Sequence, residues 1–477
     1  MSRQQRPDKT TGRHRPGHDL PRVAILTLGC PKNVVDSEHI ASLLQAAGVE
    51  VSTDPTSATV AVVNTCGFIQ PAKEESIRAI LDVAGLKRSG GLKALIVTGC
   101  LPERYGDELR QAMPEADVLV GIDPPGAARA ALVALGADGA VPSRCNVRAR
   151  RLTPPWWSYL RIAEGCDNRC AYCAIPSIRG PLVSRPLNGI VREARYLLES
   201  GAKELNIIAQ DTTAYGMDMP PAGAGKRGAK GRQLHLLLRR ICALRQDKWL
   251  RLLYTHPAHY YPELIEVLAS EPDICPYLDI PLQHISDRIL RRMGRKVTAD
   301  GIGRLLECLR ARMPGLTLRT TFMVGFPGET DEEFQELLDF VRQAKFDRLG
   351  AFTYWREEGT PAARLRGQVP EDVKEERFHE LMTLQQEIAC RLAAQREGEL
   401  TDVLVEAAGT EGEARPAGPT CRSVPAESAW GRSRSEAPDV DPVIFIEDAS
   451  GLKAGDLARV RIVGSAEYDC VARLVSS

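Results

Sequence analysis

The chain holds 477 residues, enough for two to four domains with sizeable cores. Its 62 basic and 62 acidic residues cancel, so no overall charge argues for a nucleic-acid or membrane-surface protein. No apolar run approaches the roughly 20 residues that span a bilayer, and the first 22 residues are polar and basic, without the apolar centre of a secretory signal. A cytoplasmic protein is expected, with residues 1–22 as a disordered arm.

Thirteen cysteines cannot all pair as disulfides, and in a reducing compartment clustered cysteines read as metal ligands or redox groups. Seven of them (Cys145, Cys242, Cys275, Cys308, Cys390, Cys421, Cys470) are scattered and read as small buried or incidental residues. The other six fall in two sets.

Residues 23–143 alternate continuous apolar runs with helical patterns. V-A-I-L-T-L-G-C ends at Cys30, A-V-V-N-T-C at Cys66 and A-L-I-V-T-G-C at Cys100. Such runs suit strands covered on both faces, and the helical stretches between them give one βαβ unit per step. In the first helix Asp36 is the expected N-cap and Gly48 the stop. An open parallel sheet places all three strand-terminal cysteines on one edge, where such sheets bind ligands. Three thiolates without a histidine suit an iron–sulfur cluster better than structural zinc, which takes four protein ligands; three unrelated buried cysteines are the alternative.

Residues 144–157, basic and containing proline, read as a linker. Residues 158–393 carry six further strand candidates, S-Y-L-R-I-A, E-L-N-I-I-A-Q, L-R-L-L-Y-T, Y-L-D-I-P-L-Q, T-L-R-T-T-F-M-V-G-F and R-L-G-A-F-T-Y-W, with helical patterns between most of them. Six steps are too few for a closed eight-stranded barrel, so a partial TIM-like (β/α)6 barrel is expected, with its site at the carboxyl ends of the strands. Directly after the first strand stands G-C-D-N-R-C-A-Y-C, with Cys166, Cys170 and Cys173 at C-x₃-C-x₂-C spacing. Three close cysteines can hold three corners of a four-iron cube and leave one iron open. A zinc knuckle would need a fourth ligand, and no cysteine or histidine occurs between Cys173 and His235; a redox C-x₂-C pair is the other alternative.

Residues 216–233, rich in Gly, Pro and basic residues, read as a loop inserted at the barrel mouth. G-F-P-G-E-T has two readings of equal standing: a tight turn with Gly325 and Gly328 at positive φ and Thr330 as a cap, or a cofactor contact. Arg319 reads either as a barrel-interior charge serving a cofactor or as a paired structural charge. Trp355 stands where a small residue is expected.

Residues 394–477 show short alternating strands that fit a small antiparallel β-barrel of TRAM or OB type, with the stretch 410–438 as added loop. From residue 397 onward this part holds 15 acidic and 8 basic residues. Phosphate contacts need cations, so it favours a basic partner over RNA; a solvated acidic face is the alternative.

The C-x₃-C-x₂-C loop, with Tyr172 before its last cysteine, resembles the radical S-adenosylmethionine superfamily. Together with T-L-G-C-P-K-N-V-V-D-S-E, N-T-C-G-F-I, V-T-G-C, Y-L-D-I-P-L-Q-H, R-T-T-F-M-V-G-F-P-G-E-T and E-E-G-T-P-A, the chain past the arm resembles the methylthiotransferases. That resemblance implies two 4Fe-4S clusters, on Cys30, Cys66 and Cys100 and on Cys166, Cys170 and Cys173. It also implies S-adenosylmethionine as methyl donor and radical source, with Tyr172, Glu204, Arg319 and Gly325 as cofactor-binding positions. For Glu204, at the start of the second strand, a solvated charge is the alternative.

The C-P-K-N-V-V-D-S-E form resembles the RimO-type branch, which acts on an aspartate of the ribosomal small-subunit protein numbered twelve. A monomeric enzyme served by an electron donor such as flavodoxin is then expected. Competing functions are methylthiolation of transfer-RNA adenosine and, in another class, a non-catalytic iron–sulfur factor for ribosome assembly.

Overall fold

The computed structural model describes residues 21–138, 140–141, 148, 150–220, 231–244, 247–408 and 428–475. Most of the basic arm, Cys145, Cys421, and much of the inserted loop and of the 410–438 stretch lie outside the described residues.

The first domain contains β1 (Arg22–Thr27), α1 (Pro31–Ala46), β2 (Glu50–Ser52), β3 (Val60–Thr65), α2 (Gln70–Arg88), β4 (Ala94–Gly99), α3 (Cys100–Ala112), β5 (Val118–Leu119) and α4 (Pro124–Ala134). Its strands pair in parallel in the order β2-β1-β3-β4-β5. Every residue of β3 and β4 is buried, because alternate side chains serve two cores. Val60, Val62 and Ile96 pack with Ile40, Leu44 and Leu132 from α1 and α4. Ala61, Val63, Leu95 and Val97 pack with Ile80, Val83 and Leu109 from α2 and α3.

The expected N-cap at Asp36 is corrected. Helix α1 begins a turn and a half earlier, with Cys30 as N-cap and Pro31 in its first turn, where a missing N–H costs nothing. Asp36 lies inside the helix, buried, and its carboxylate binds Arg161 and Arg179 from the second domain.

The second domain opens with β6 (Trp157–Arg161) and a two-stranded antiparallel ribbon, β7 (Ala163–Glu164) with β8 (Val183–Ser184), which encloses the one-turn α5 (Ile175–Ile178). Then follow α6 (Leu187–Glu199), β9 (Glu204–Ile208), α7 (Leu234–Cys242), β10 (Trp249–Leu252), α8 (Pro262–Ser270), β11 (Ile274–Asp279), α9 (Asp287–Arg292), α10 (Ala299–Arg312), β12 (Thr317–Val324), α11 (Asp331–Ala344), β13 (Arg348–Thr353) and α12 (Glu371–Gln395). The six long strands form one parallel sheet in chain order, the partial barrel expected from the sequence. Helix α11 starts with a capping box between Thr330 and Glu333. Trp355 stands 40% exposed beyond β13.

The third domain, β14 (Leu400–Ala408), β15 (Ala429–Arg432), β16 (Ile444–Glu447), β17 (Leu457–Ala466) and β18 (Asp469–Leu474), closes into a barrel. Its pairs are antiparallel except β16 with β18, which run parallel. Leu404 and Ala437 of this domain and Val35 of α1 pack into one apolar cluster with Trp157, Tyr159, Ile208, Trp249 and Tyr277 of the open sheet. Both flanking domains therefore cover the sheet. Among the described residues no helix is long and apolar enough to cross a membrane.

Two thiol triads as the candidate functional site

Strands β1, β3 and β4 are neighbours, so the residues that follow them meet. Cys66 and Cys100 come immediately after β3 and β4, and Cys30 three residues after β1. Gly29 permits the approach. It has φ +88°, and a Cβ there would lie 2.8 Å from Cys66 Cβ. Asn33 ties the loops together, donating from Nδ2 to the carbonyls of Leu28 (2.8 Å) and Thr65 (3.0 Å). Burial pushes the Cys66 thiol up and the Cys100 thiol to about 12, and a charge on Cys30 repels both.

The second triad sits in the loop between β7 and β8, at the carboxyl end of β6. Gly165 has φ +69°, and a Cβ there would strike the Pro181 carbonyl at 2.0 Å. The loop is held by Cys166 N–H to Gly180 O (3.1 Å) and Ala171 N–H to Met293 O (2.8 Å). Burial pushes Cys166 and Cys173 to about 12, and Cys170 repels both of them when charged. Three thiolates gathered in so little water need a cation, which is what a metal group supplies.

The spacing tests which group. A single zinc holds its sulfurs at about 2.3 Å and therefore within roughly 4 Å of one another. Among the described residues the one set of three His, Cys, Asp or Glu donors drawn within 4.8 Å of one another is Asp211, His256 and His259. Neither cysteine triad closes that tightly. Three thiols with no histidine among them suit a cube whose thiolates stand on separate irons better than one ion.

Of the positions expected to bind cofactor, Tyr172 lies on the cysteine loop. Its ring packs against Ile289, Met293 and Phe326, and its hydroxyl accepts from Arg295 at 3.4 Å. Glu204 does not belong to this mouth. It opens β9, at the opposite end of the sheet, fully buried, where it accepts from Arg251 (2.8 Å) and Arg432 (2.7 Å). Those two guanidiniums pull its carboxyl below the usual range against the effect of burial. Arg319 is paired with Asp279 (3.3 Å) and with Asp441 of the third domain (3.4 Å). Gly325 has φ +71°, and a Cβ there would meet Lys374 Cγ at 2.2 Å, so the geometry carries the turn reading.

Sequence reasoning missed several groups at the mouth. Asp211, three residues past the end of β9, accepts from Asn168 Nδ2 of the cysteine loop (2.6 Å) and bonds to His259 Nδ1 (2.7 Å). Burial pushes His256, stacked on His259, down to about 3. The rule that sites form at carboxyl ends of strands would have preferred Q-D-T-T to the Glu204 that begins the strand. Arg179, six residues past Cys173, reaches Asn33 Oδ1 (2.7 Å), Asp36 (3.1 Å), Glu164 (2.9 Å) and Cys100 Sγ (3.6 Å). It ties the segment that follows the cysteine loop to the first triad, and no local pattern in the sequence announces it.

Three families match the chain: the uncharacterised protein family UPF0004 over residues 22–121, the radical SAM superfamily over 160–341 and the TRAM domain over 421–475. Ribosomal protein uS12 methylthiotransferase RimO of Pelotomaculum thermopropionicum is 45% identical over 463 residues, covering 95% of this chain and 99% of that protein. The proteins of the same name from Desulforudis audaxviator (44%; 96% and 97% covered) and Geobacter sulfurreducens (42%; 95% and 99% covered) are similar to it along their whole lengths as well. In fold alone, the radical S-adenosylmethionine methyltransferase TsrM from Kitasatospora setae superposes with a TM-score of 0.53 at 15% identity, covering 77% of this chain and 89% of that one. Identity of this degree over nearly the whole length means that the chain belongs to the ribosomal protein uS12 methylthiotransferase (RimO) family of radical S-adenosylmethionine enzymes.

Proposed function

We propose that the protein is a methylthiotransferase that places a methylthio group on the β-carbon of an aspartate in ribosomal protein uS12. Cys30, Cys66 and Cys100 would hold one four-iron cluster, and Cys166, Cys170 and Cys173 a second. The observation that carries this reading is the pair of separate cysteine triads, with Arg179, six residues past the second, donating to Cys100 of the first. When bound, the clusters and S-adenosylmethionine supply one-electron cleavage of a sulfonium, and so hydrogen abstraction from an unactivated carbon, chemistry that no side chain offers. The chain's own part is to bury and aim. Asn168 and Asp211 fix the cysteine loop, Arg179 and Asn33 fix the facing triad, and the burial of Cys100 and Cys170, with the other four cysteines half-buried, limits water. An electron donor of the flavodoxin type and a monomeric enzyme acting on or near the ribosome belong to the same proposal.

The acidic surplus of the third domain gives less support to a protein substrate than its count suggests. Glu406 and Glu436 are bound to Arg432 and to Arg348 and Arg396, while Asp439 and Asp441 accept from Tyr159 and Tyr277. Those charges dock the domain, and the choice of uS12 over transfer RNA rests on the relatives.

Two variants and an iron count test the proposal. Anaerobically reconstituted protein should carry about eight irons and about eight sulfides; about four of each would overturn the two-cluster assignment. Cys166→Ala should abolish 5′-deoxyadenosine release. Cys66→Ala should retain that release and lose methylthiolated uS12 by mass spectrometry.

A further inference from the structure

Lys32 lies two residues past Cys30 in the first turn of α1 and is only 5% exposed. Among the described residues its ammonium makes no ion pair and no hydrogen bond. Its contact is the face of Tyr254, with Nζ 3.0 Å from the ring centroid. A cation–π contact offsets only part of the cost of taking an ammonium out of water. The nearby carboxylates are engaged elsewhere. Glu164 accepts from Arg179 (2.9 Å) and Gln210 (2.9 Å) and pairs with Arg161 (2.8 Å). Asp36 binds Arg161 and Arg179, and Asp279 binds Arg319 and the Tyr254 N–H.

The fold also holds strain at this point. Tyr254 has φ +59°, a left-handed conformation that a bulky residue rarely adopts. It is kept there by its N–H to Asp279 Oδ2 (3.0 Å) and by its carbonyl accepting from Thr212 N–H (2.9 Å). Thr212 follows Asp211, which holds Asn168 of the cysteine loop. A chain of contacts therefore runs from Cys30 through Lys32 and Tyr254 to the C-x₃-C-x₂-C loop. The uncommitted cation sits on the path between the two triads, where the carbon to be thiolated must be presented to both.

We propose that Lys32 recognises the carboxylate of the aspartate side chain that the enzyme modifies, an inference that rests on the uS12 reading above. The Cys30 thiolate attracts the ammonium without accepting a hydrogen bond from it; a substrate carboxylate would supply the direct ion pair that no described residue makes, and a neutral amide in its place would not.

The test measures binding of purified uS12, and of uS12 with the target aspartate changed to asparagine, to full-length cluster-loaded protein. Wild type should bind the aspartate form about 50-fold more tightly than the asparagine form. Lys32→Met, which keeps the unbranched stem and removes the charge, should erase that preference, and Lys32→Arg should restore part of it. Iron and sulfide content of each preparation reports an intact fold. If Lys32→Met keeps the wild-type preference, the assignment is overturned while the uS12 reading stands. If Lys32→Met instead weakens S-adenosylmethionine binding and leaves the aspartate preference intact, the ammonium serves the cofactor carboxylate and the assignment is likewise overturned. Wild type that neither binds nor modifies uS12 removes the substrate reading and, with it, this role for Lys32.

Discussion

Arg179 and Glu204 show how much one buried charge depends on its company. The Arg179 guanidinium, 1% exposed on its side chain, points an N–H at Cys100 Sγ from 3.6 Å. Hydrogen bonds to ligand sulfurs stabilise the reduced, more negative state of an iron–sulfur cluster. Arg179→Gln should therefore lower the potential of the cluster proposed on Cys30, Cys66 and Cys100 by tens of millivolts and leave that of the cluster proposed on Cys166, Cys170 and Cys173 in place, as read by redox titration followed by electron paramagnetic resonance. Glu204 makes the opposite kind of prediction. Changed to Gln, it leaves Arg251 without its buried carboxylate partner and Arg432 with Glu406 alone, at a cost of roughly 3–5 kcal/mol. A thermal melt should show that loss, while S-adenosylmethionine binding should hold. A selective loss of cofactor affinity would return Glu204 to the site.

Helix α1 is the element on which the two triads depend. Its amino-terminal half carries Lys32, Asn33, Val35, Asp36 and Glu38, all buried; the first four turn a polar or apolar group toward the second domain, and Glu38 binds the linker before it. It is buried on both sides, against its own sheet and against the barrel, and so lacks the clean polar stripe of a surface helix. Arg148, in the segment that reads as a basic linker, completes the contact. It is 1% exposed and donates to Glu38 of α1, to Glu193 of α6 at 2.8 Å and to the Tyr159 carbonyl. Together with Arg185 it holds the Glu193 carboxyl down to about 2 in spite of burial. Arg148→Met should cost roughly 3–5 kcal/mol by leaving two acids buried and under-compensated, measurable as a lowered denaturant midpoint.

At the scale of the whole molecule, charges that look like surface bind the third domain to the barrel. Glu436 pairs with Arg348 at the start of β13 and with Arg396 beyond α12, and these guanidiniums hold its carboxyl near 2 against an ordinary value of 4.5. A carboxyl depressed in the folded state stabilises fully above about pH 4.5, and that contribution is lost as pH falls toward 2. The shift corresponds to about 3 kcal/mol. Thermal melts of the wild type should fall across that window, and Glu436→Gln should start lower at neutral pH and fall less. Equal slopes would show that Glu436 does not carry the acid sensitivity.

The six parallel strands of the barrel, the three strand-terminal cysteines and the C-x₃-C-x₂-C loop were legible because each is local. A run of aliphatic residues makes its own strand, and close spacing along the chain ensures closeness in space. The pairing of buried charges was not legible, since Glu204 and Arg432 stand 228 residues apart and Lys73 and Glu357 stand 284 apart. No pattern within a helix or strand reports such a partner. Sequence by itself determined which sulfurs gather. Only the tertiary structure decided that Glu204 belongs to the far end of the sheet, that the acids of the third domain are largely engaged, and that Lys32 makes no ion pair among the described residues, because a charge is defined by the atoms that desolvate and face it.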